Sequence, residues 1–349
     1  MKKIYLLAAT LFSFMSFGQV ILNEDFNYTA GGNIGGNTTT TTDAVGSNNW
    51  FTHSNTSGNS GTIDVLSGNL NYTGLQASNG NKIFLPGSNS TVPRDVNRPI
   101  TTSSTTVYCS FLLNVVDNTQ LAATISGNNN YFFAFGQTSG GVGITVLAAR
   151  LGITSSNSGT NYRLHISNNS GGTPTYTENA VDLNFGQSYL VVIKLDRAAS
   201  PVAATLWVNP TTLGSTEPAG SVSNNSGTGT ITSFASITLR NAANTPKAEI
   251  DEFRVGNTFA DVTPVNLSTK DFNNISGLKM YPNPAKNVLN IASDSFAPKN
   301  VEIYTMLGKK VLASEVVNGS VNISALAKGI YVVKIKEEDK TATRELVVE

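Results

Sequence analysis

Period-two alternation in short apolar segments, with no helical period between them, is what most restricts the fold of this chain. Residues 107–115 (VYCSFLLNV) show it: Val107, Cys109, Phe111, Leu113 and Val115 fall on one side of an extended backbone. Segments 131–135, 142–148, 162–166, 189–195, 205–208, 236–239 and 249–255 repeat the style. Each is β-branched or aromatic and bounded by Gly, Asn, Ser or Pro, and Asn79-Gly80 and Gly140-Gly141 are turn signals. No ten-residue window of the mature chain carries capped 3.6-residue periodicity. Strands with one apolar face bury it best against a second sheet. The expected class is therefore all-β, with a large antiparallel jelly-roll sandwich at 19–265 followed by a small β-sandwich. In the second, 301–304 and 310–313 flank a turn holding Gly308. Segments 315–317 and 321–323 flank Asn318-Gly319-Ser320, and 330–335 and 344–348 flank a charged turn.

Composition places a boundary between the two. Residues 19–269 hold ten Lys and Arg and fourteen Asp and Glu, whereas the shorter stretch 270–349 holds eleven and nine. The shift falls near 265–277 (VNLSTKDFNNISG), a polar stretch, so 266–277 is expected to be a linker and 278–349 a separate domain. No fixed-period repeat is visible, which argues against a solenoid or propeller. The tract 31–42 (GGNIGGNTTTTT) is expected to be a loop. At the N-terminus, Lys2 and Lys3 precede an apolar run at 4–17, and Ser16 and Gly18 stand at −3 and −1 of a cut before Gln19. That order predicts a secretory signal peptide at 1–18. The run is shorter than the ~20 residues that span a bilayer, so no transmembrane helix is expected.

Inventory excludes several chemistries. Formal net charge is +0, against a nucleic-acid partner, which needs a clustered basic face. The chain has one Cys and two His, which allow neither an internal disulfide nor a Cys/His zinc site. Cys109 alternates with apolar residues and reads as a small buried hydrophobe. His53 lies in a polar loop and His165 in mid-strand, and no Gly-x-Ser-x-Gly elbow or phosphate-binding loop accompanies them.

The C-terminal residues resemble a known family. Tyr281-Pro282-Asn283-Pro284, then 288–291 (VLNI), 301–304 (VEIY) with 308–311 (GKKV), Leu326 with 329–335 (GIYVVKI), and the ending 345–349 (ELVVE) are similar in order and spacing to the C-terminal sorting domain of the type IX secretion system of Bacteroidota, type A form. Gly308, Gly329 and Tyr331 belong to the same pattern. The acidic last residue departs from the lysines that end many members. The resemblance implies export through the periplasm to the outer surface or medium, with the secretion machinery and its sorting protease as partners and surface lipopolysaccharide as an attachment point. Residues 20–265 resemble the laminin-G-like, concanavalin-type jelly rolls of exported bacterial proteins. The likeness is carried by 22–28 (LNEDFNY), Asp95-Val96-Asn97-Arg98, 107–115, 189–196 (YLVVIKLD), 206–210 (LWVNP) with Glu217-Pro218, and 250–256 (IDEFRVG) running to 261–264. It implies a carbohydrate-binding or adhesion module.

Candidate site residues follow from chemistry. Glu249-Ile250-Asp251-Glu252-Phe253 approaches the Glu-x-Asp-x-Glu of some concanavalin-fold glycosidases. Alternation would put Glu249 and Asp251 on one face, but Phe253 takes the third place and Glu252 is expected to point away. No catalytic residue is assigned, and the expectation is a non-enzymatic protein with a polysaccharide-degrading enzyme or a structural surface component as alternatives. If the first and last strands of the large sandwich pair, Glu24, Asp25 and Asp251 are candidates for a structural calcium; otherwise no cofactor is expected. Trp50, Tyr72, Tyr131 and Tyr176 lie in or beside Asn-rich polar segments. They are the candidates for stacking on a glycan, while Trp207 is expected in the core.

Overall fold

The computed structural model describes residues 20–35, 49–53, 62–87, 94–125, 130–141, 143–144, 146–169, 173–228, 231–265, 275–316, 319–338 and 340–349. The expected signal peptide (1–18) and most of the expected linker (266–274) lie outside those residues. The chain divides into two compact units, 1–266 and 267–349.

The principal strands of the first unit are β1 (Val20–Glu24), β2 (Val96–Pro99), β3 (Thr106–Asp117), β4 (Tyr131–Gly136), β5 (Leu147–Ser156), β6 (Asn161–Ser167), β7 (Ser188–Asp196), β8 (Ala203–Val208), β9 (Ser236–Leu239) and β10 (Lys247–Gly256). One sheet of nine strands runs Val222–Asn224, β8, β7, β3, β10, then Lys82–Leu85, Ile63–Leu66 and Asn33–Ile34, and β1 also pairs with β10. The other, of eight, runs Thr177–Glu178, β6, β5, β4, β9, β2 and Phe51–Thr52, with Leu183–Asn184 on β6. All named pairings are antiparallel, and the first and last strands of the unit do pair, Glu24 opposite Phe253. The structure is the jelly-roll sandwich that the alternation implied. Phe111, Leu113 and Val115 from one sheet and Phe133, Phe135, Ile153 and Ile166 from the other share a single dry core. Cys109 is buried in that core, where burial raises its thiol pKa.

Strand β10 departs from strict alternation. Ala248, Ile250, Phe253 and Val255 all enter the core, a spacing of two, three and two. The extra residue is accommodated by a bulge: the register against β3 shifts between Asp251 and Arg254, and Glu252 has φ +56°. Glu252 therefore does not point opposite to Asp251, as simple alternation predicted. Both carboxylates meet the segment that follows Ile63–Leu66. Asp251 accepts from the Leu70 N–H at 2.9 Å and the Glu252 N–H at 2.8 Å. Glu252 accepts from the Asn79 N–H at 2.7 Å and pairs with Arg254. Leu70 and Leu75 from that segment, with Phe259 and Val262 from the short helix α1 (Phe259–Val262), pack on Tyr108, Leu112, Leu190, Val192 and Trp207. A second apolar layer thus covers the outer face of the first sheet.

The second unit has a three-stranded sheet, Lys279–Tyr281, Val288–Ala292 and Ser320–Asn322. Its four-stranded sheet runs Lys310–Val316, Lys299–Thr305, Gly329–Glu337 and Lys340–Val348. The expected break near 313–315 is absent, because 310–316 pairs unbroken along 299–305 apart from one shift at Tyr304. Its core, including Leu289, Ile303, Val333, Ile335 and Leu346, is its own.

Phe253 touches Phe111, Phe133, Phe26 and Trp50 at centroid separations of 4.8 to 6.3 Å. Replacing it by Ala should lower unfolding free energy by about 3–5 kcal/mol, read by denaturant titration of the full chain. A loss below about 1 kcal/mol would show that the bulge, and not the ring it admits, organises the core.

Candidate functional site

The sequence candidates separate once their surroundings are known. Trp50 is fully buried, stacked on Phe26, and its indole N–H donates to Glu24 at 3.1 Å. It presents no face to a sugar, because its ring completes the aromatic core. Tyr72 packs beside the second apolar layer on the first sheet. Glu24 is also committed: it accepts from the Tyr28 hydroxyl at 2.8 Å and the Phe26 N–H at 3.1 Å, and pairs with Arg98 at 3.0 Å. Asp251 is held by the two backbone N–H groups already described, and Asp25 accepts from the Asn27 N–H. Glu24, Asp25 and Asp251 thus take separate partners. Among the described residues no group of three or more His, Cys, Asp or Glu side chains is arranged to hold a metal ion. Burial, the largest effect, and the neighbouring Glu252 charge push the Asp251 carboxyl up to about 8.

An open cleft of about 680 Å³ lies over Tyr108, Glu217, Phe259 and Asp261. Its acids are tied into the fold. Glu217 accepts from Tyr108 and from Lys194 at 2.8 Å, and Asp261 from the Asn257 and Thr258 N–H groups.

The outer face of the second sheet is different. A cross-strand row runs over it: Tyr131 on β4 lies opposite Gly152 on β5, Gly152 opposite His165 on β6, and His165 opposite Glu178. Directly opposed residues share a face, so the side chains of Tyr131, His165 and Glu178 stand together. The place left by the missing side chain of Gly152 is filled by Tyr176: a Cβ there would come 3.2 Å from the ring. The register between β4 and β5 shifts twice here, and Ala149, at φ +50°, precedes Arg150. The Arg150 guanidinium lies 5.2 Å from the centre of the Tyr131 ring, and that of Arg240, just beyond β9, lies 5.0 Å from it. Tyr131, Arg150 and His165 are buried, while Tyr176 and Arg240 are half-buried. Tyr176 carries a buried hydroxyl with no hydrogen-bond partner among the described residues.

Two of the four aromatic candidates, Tyr131 and Tyr176, are therefore brought to one place. Arg150, Arg240 and His165 join them and were missed. Alternation along 147–156 puts Arg150, Gly152 and Thr154 on one side of an otherwise apolar strand, which is the signal available in the sequence; pairing them with Tyr131 and His165 needs the register.

The electrostatics favour neutral titratable groups beside fixed positive charge. Burial raises Tyr131, and raises Tyr176 to about 12 against the opposing pull of Arg150 and Arg240. Burial lowers His165 to about 4, although Glu178 pulls the other way. His165 is thus a neutral imidazole at pH 7, its Nε2 2.8 Å from the Thr154 hydroxyl. Beside Asn97, His53 is lowered to about 4 by burial as well. A base whose folded pKa is depressed contributes stability above its unfolded pKa of about 6.5, and that stability is lost as pH falls toward 4. Acidification from pH 6.5 to 4 should therefore destabilise the chain, with about 2–3 kcal/mol from His165. His165→Gln should flatten the pH dependence of the unfolding midpoint; an unchanged slope would show that His165 is charged when folded.

In the second unit, Asn283 donates to the Glu345 carbonyl at 3.0 Å and accepts from the Val347 N–H at 2.8 Å. The Ala285 N–H donates to the Val347 carbonyl at 2.8 Å. The segment of Tyr281, Pro282, Asn283 and Pro284 is thereby fastened along the last strand, with Tyr281 about half exposed. Gly308, at φ +81°, makes the turn before Lys310–Val316, Gly329 opens its strand, and the Tyr331 hydroxyl donates to the Ala327 carbonyl at 2.7 Å.

Comparison with known proteins bears on both units. Over 72 residues the chain is 32% identical to beta-agarase D of Zobellia galactanivorans, covering 20% of this chain and 15% of that protein, so the match spans a small part of the relative. The fold is similar to that of an endo-beta-1,4-glucuronan lyase from Trichoderma reesei, at 15% identity and a TM-score of 0.37, covering 68% of this chain and 99% of the other. It is also similar to an endo-1,3-beta-glucanase from Streptomyces sioyaensis, at 12% identity and a TM-score of 0.33, covering 69% and 96%. These relatives are polysaccharide-cleaving enzymes, and the expectation of a non-enzymatic chain is withdrawn on that finding. Residues 279–349 match the secretion system C-terminal sorting domain. The chain thus ends in a type IX sorting domain, which consigns its jelly-roll unit to the cell surface or the extracellular space through the type IX machinery.

Proposed function

We propose that the jelly-roll unit engages a polysaccharide outside the cell, at the face of the second sheet that carries Tyr131, Arg150, Arg240 and Tyr176. The observation that carries this reading is the convergence of two tyrosines and two arginines from four separate parts of the chain, with one tyrosine hydroxyl left without a partner among the described residues. Such a hydroxyl is satisfied when a ligand supplies the missing donor or acceptor. The aromatic body gives a sugar ring apolar contact, and the arginine donors suit sugar oxygens. On the outer face of the first sheet, Asp251 and Glu252 are bonded to the segment lying on them, and Glu217 in the cleft beside it is bonded to Tyr108 and Lys194.

Cleavage of the bound polymer is the second reading. It is favoured by the row Tyr131–His165–Glu178, which sets groups able to accept or give a proton beside Tyr176 on the same face. A neutral imidazole at pH 7 is a base, and a buried phenol near fixed positive charge is a proton donor whose anion the arginines stabilise. Surface lipopolysaccharide and other cell-surface glycans are further partners to which the exported chain has access.

The purified chain should be retained on insoluble or immobilised algal and bacterial polysaccharides, and Tyr176→Phe, which removes only the hydroxyl without a partner, should reduce retention about tenfold without lowering the unfolding midpoint. Retention with release of new chain ends, read by a reducing-end assay, would select cleavage; retention by no polymer would end the reading. For export, deletion of residues 279–349 should leave the protein in the periplasm. Undiminished appearance outside the cell after that deletion would remove the sorting role.

A further inference from the structure

The two sheets of the jelly roll taper. Their end strands, Val222–Asn224, Asn33–Ile34, Thr177–Glu178 and Phe51–Thr52, have two or three residues. Very short ends are one way a sheet avoids pairing with another chain. The three-stranded sheet of the second unit ends likewise, in Lys279–Tyr281 and Ser320–Asn322. Its four-stranded sheet does not. It ends in Lys310–Val316, of seven residues, and Lys340–Val348, of nine.

The two long ends are treated differently. Beside the last strand lies the segment of Asn283 and Ala285, bonded to Glu345 and Val347. The Glu349 N–H donates back to the Ala285 carbonyl at 2.9 Å, and Ala285 bridges Val348 in parallel. An extended piece of the chain's own backbone therefore covers that edge. Lys310–Val316 pairs with Lys299–Thr305 on one side, and on its other side no backbone partner occurs among the described residues. Lys310, Val311, Ala313 and Glu315 are exposed. A row of backbone donors and acceptors turned outward is a template for another extended chain.

We propose that Lys310–Val316 is the docking edge of the sorting domain, and that the type IX machinery grips it with an extended segment of one of its own proteins, added as a fifth strand of this sheet. The machinery is the occupant because it handles this domain during export. Alternation sets the chemistry of the incoming segment. Leu312 and Val316 face the core of the second unit, and Leu312 is only half-buried there. Side chains set beside them on the same face are apolar. Ala313 lies opposite Glu302, and Glu315 opposite Asn300, so both face the other way. On that face a hollow of about 440 Å³ is lined by Asn300, Glu302, Ala313, Glu315, Lys334 and Lys336. Side chains of the segment that fall on it are polar or charged. Main-chain bonds supply the affinity of such a contact, and the alternate side chains supply its specificity. The grip needs nothing from the jelly roll, so one machinery can take up different cargoes.

The test replaces single backbone donors in the full chain, expressed in a cell that has the type IX machinery. Along an edge strand, successive N–H groups point alternately into the ladder and away from it. Of the neighbours Ala313→Pro and Ser314→Pro, one therefore removes a ladder bond and lowers the unfolding midpoint, while the other removes only an outward donor. The variant that keeps the parent's midpoint should reach the cell surface or medium at least tenfold less and accumulate in the periplasm. Ala313→Ser and Ser314→Ala keep their N–H groups and should be exported like the parent. If both prolines lower the midpoint, Ser314→Lys decides. An inward-facing lysine on an edge strand reaches solvent past the open side and fills the room of an added strand, so it should block export at an unchanged midpoint. Undiminished export of a blocking variant that keeps the parent's midpoint overturns the inference. So does a loss in Ala313→Ser or Ser314→Ala equal to that of the proline, because the backbone would then not be what is read. Deletion of 279–349 separates the two failures. A trapped deletion beside an exported proline variant removes the docking edge alone, whereas export of both removes the sorting role as well.

Discussion

One inserted residue in the closing strand governs what the larger unit can expose. Between Ile250 and Phe253 the chain places two residues where alternation allows one, so Asp251 and Glu252 leave the core side together and Phe253 enters it. The left-handed backbone at Glu252 is unfavourable by roughly 1 kcal/mol. Phe253, burying its ring against four others, more than offsets it. Set outward side by side, the two carboxylates receive the Leu70 and Asn79 N–H groups and fasten that segment over the sheet. A feature of one strand's register thereby fastens a cover over the outer face of the first sheet.

How much of this was legible in the sequence follows from the same distinction. Class, most strand positions and the interior residues of β3 were readable, because period-two alternation is a local property and burial of one face is its direct consequence; the strand expected at 142–148 instead runs from Leu147 to Ser156. The tail was readable for another reason: its turns and short strands are fixed by local residues such as Gly308, whereas the bonds of Asn283 to the last strand, more than sixty residues on, appear only in the fold. The bulge was recoverable in principle from the two-three-two spacing of Ala248, Ile250, Phe253 and Val255, yet strict alternation misplaces Glu252. Trp50 was misjudged because a polar neighbourhood in sequence is not one in space: Asn48 and Asn49 precede a ring that ends beside Phe26. The site on the second sheet could not be assembled at all without register. Tyr131, Arg150, His165 and Arg240 are distant along the chain, and only strand pairing shows that Gly152 stands between two of them.

The two units divide the physical work. The tail has its own apolar core and a last strand fastened by Asn283, so it folds around contacts that the jelly roll does not supply. A domain of that kind can direct export while leaving the cargo's surfaces free for other selection. The charge contrast between the halves fits this division. The tail is rich in lysine on exposed strand faces, whereas the jelly roll holds few charges and buries several of them.

Those few buried charges sort by how they are held. At Asp251 and Glu252 the carboxylates are met by backbone N–H groups, which have fixed direction and are themselves donors needing a partner, so the arrangement answers the fold's own needs. At Arg150 and Arg240 the charges rest against an aromatic ring, which holds a cation without directing its donors. The first arrangement is a latch, because removing either side leaves an unpaired group. The second rests on contact with the ring, and the Arg150 Nε also donates to the Leu147 carbonyl. Beside it stands a tyrosine hydroxyl that the described fold does not satisfy. Stability alone would favour replacing that hydroxyl by hydrogen, since a buried phenol without a partner is less favourable than a phenylalanine by about 1–3 kcal/mol. The fold therefore keeps at Tyr176 a hydroxyl that its own described packing does not use.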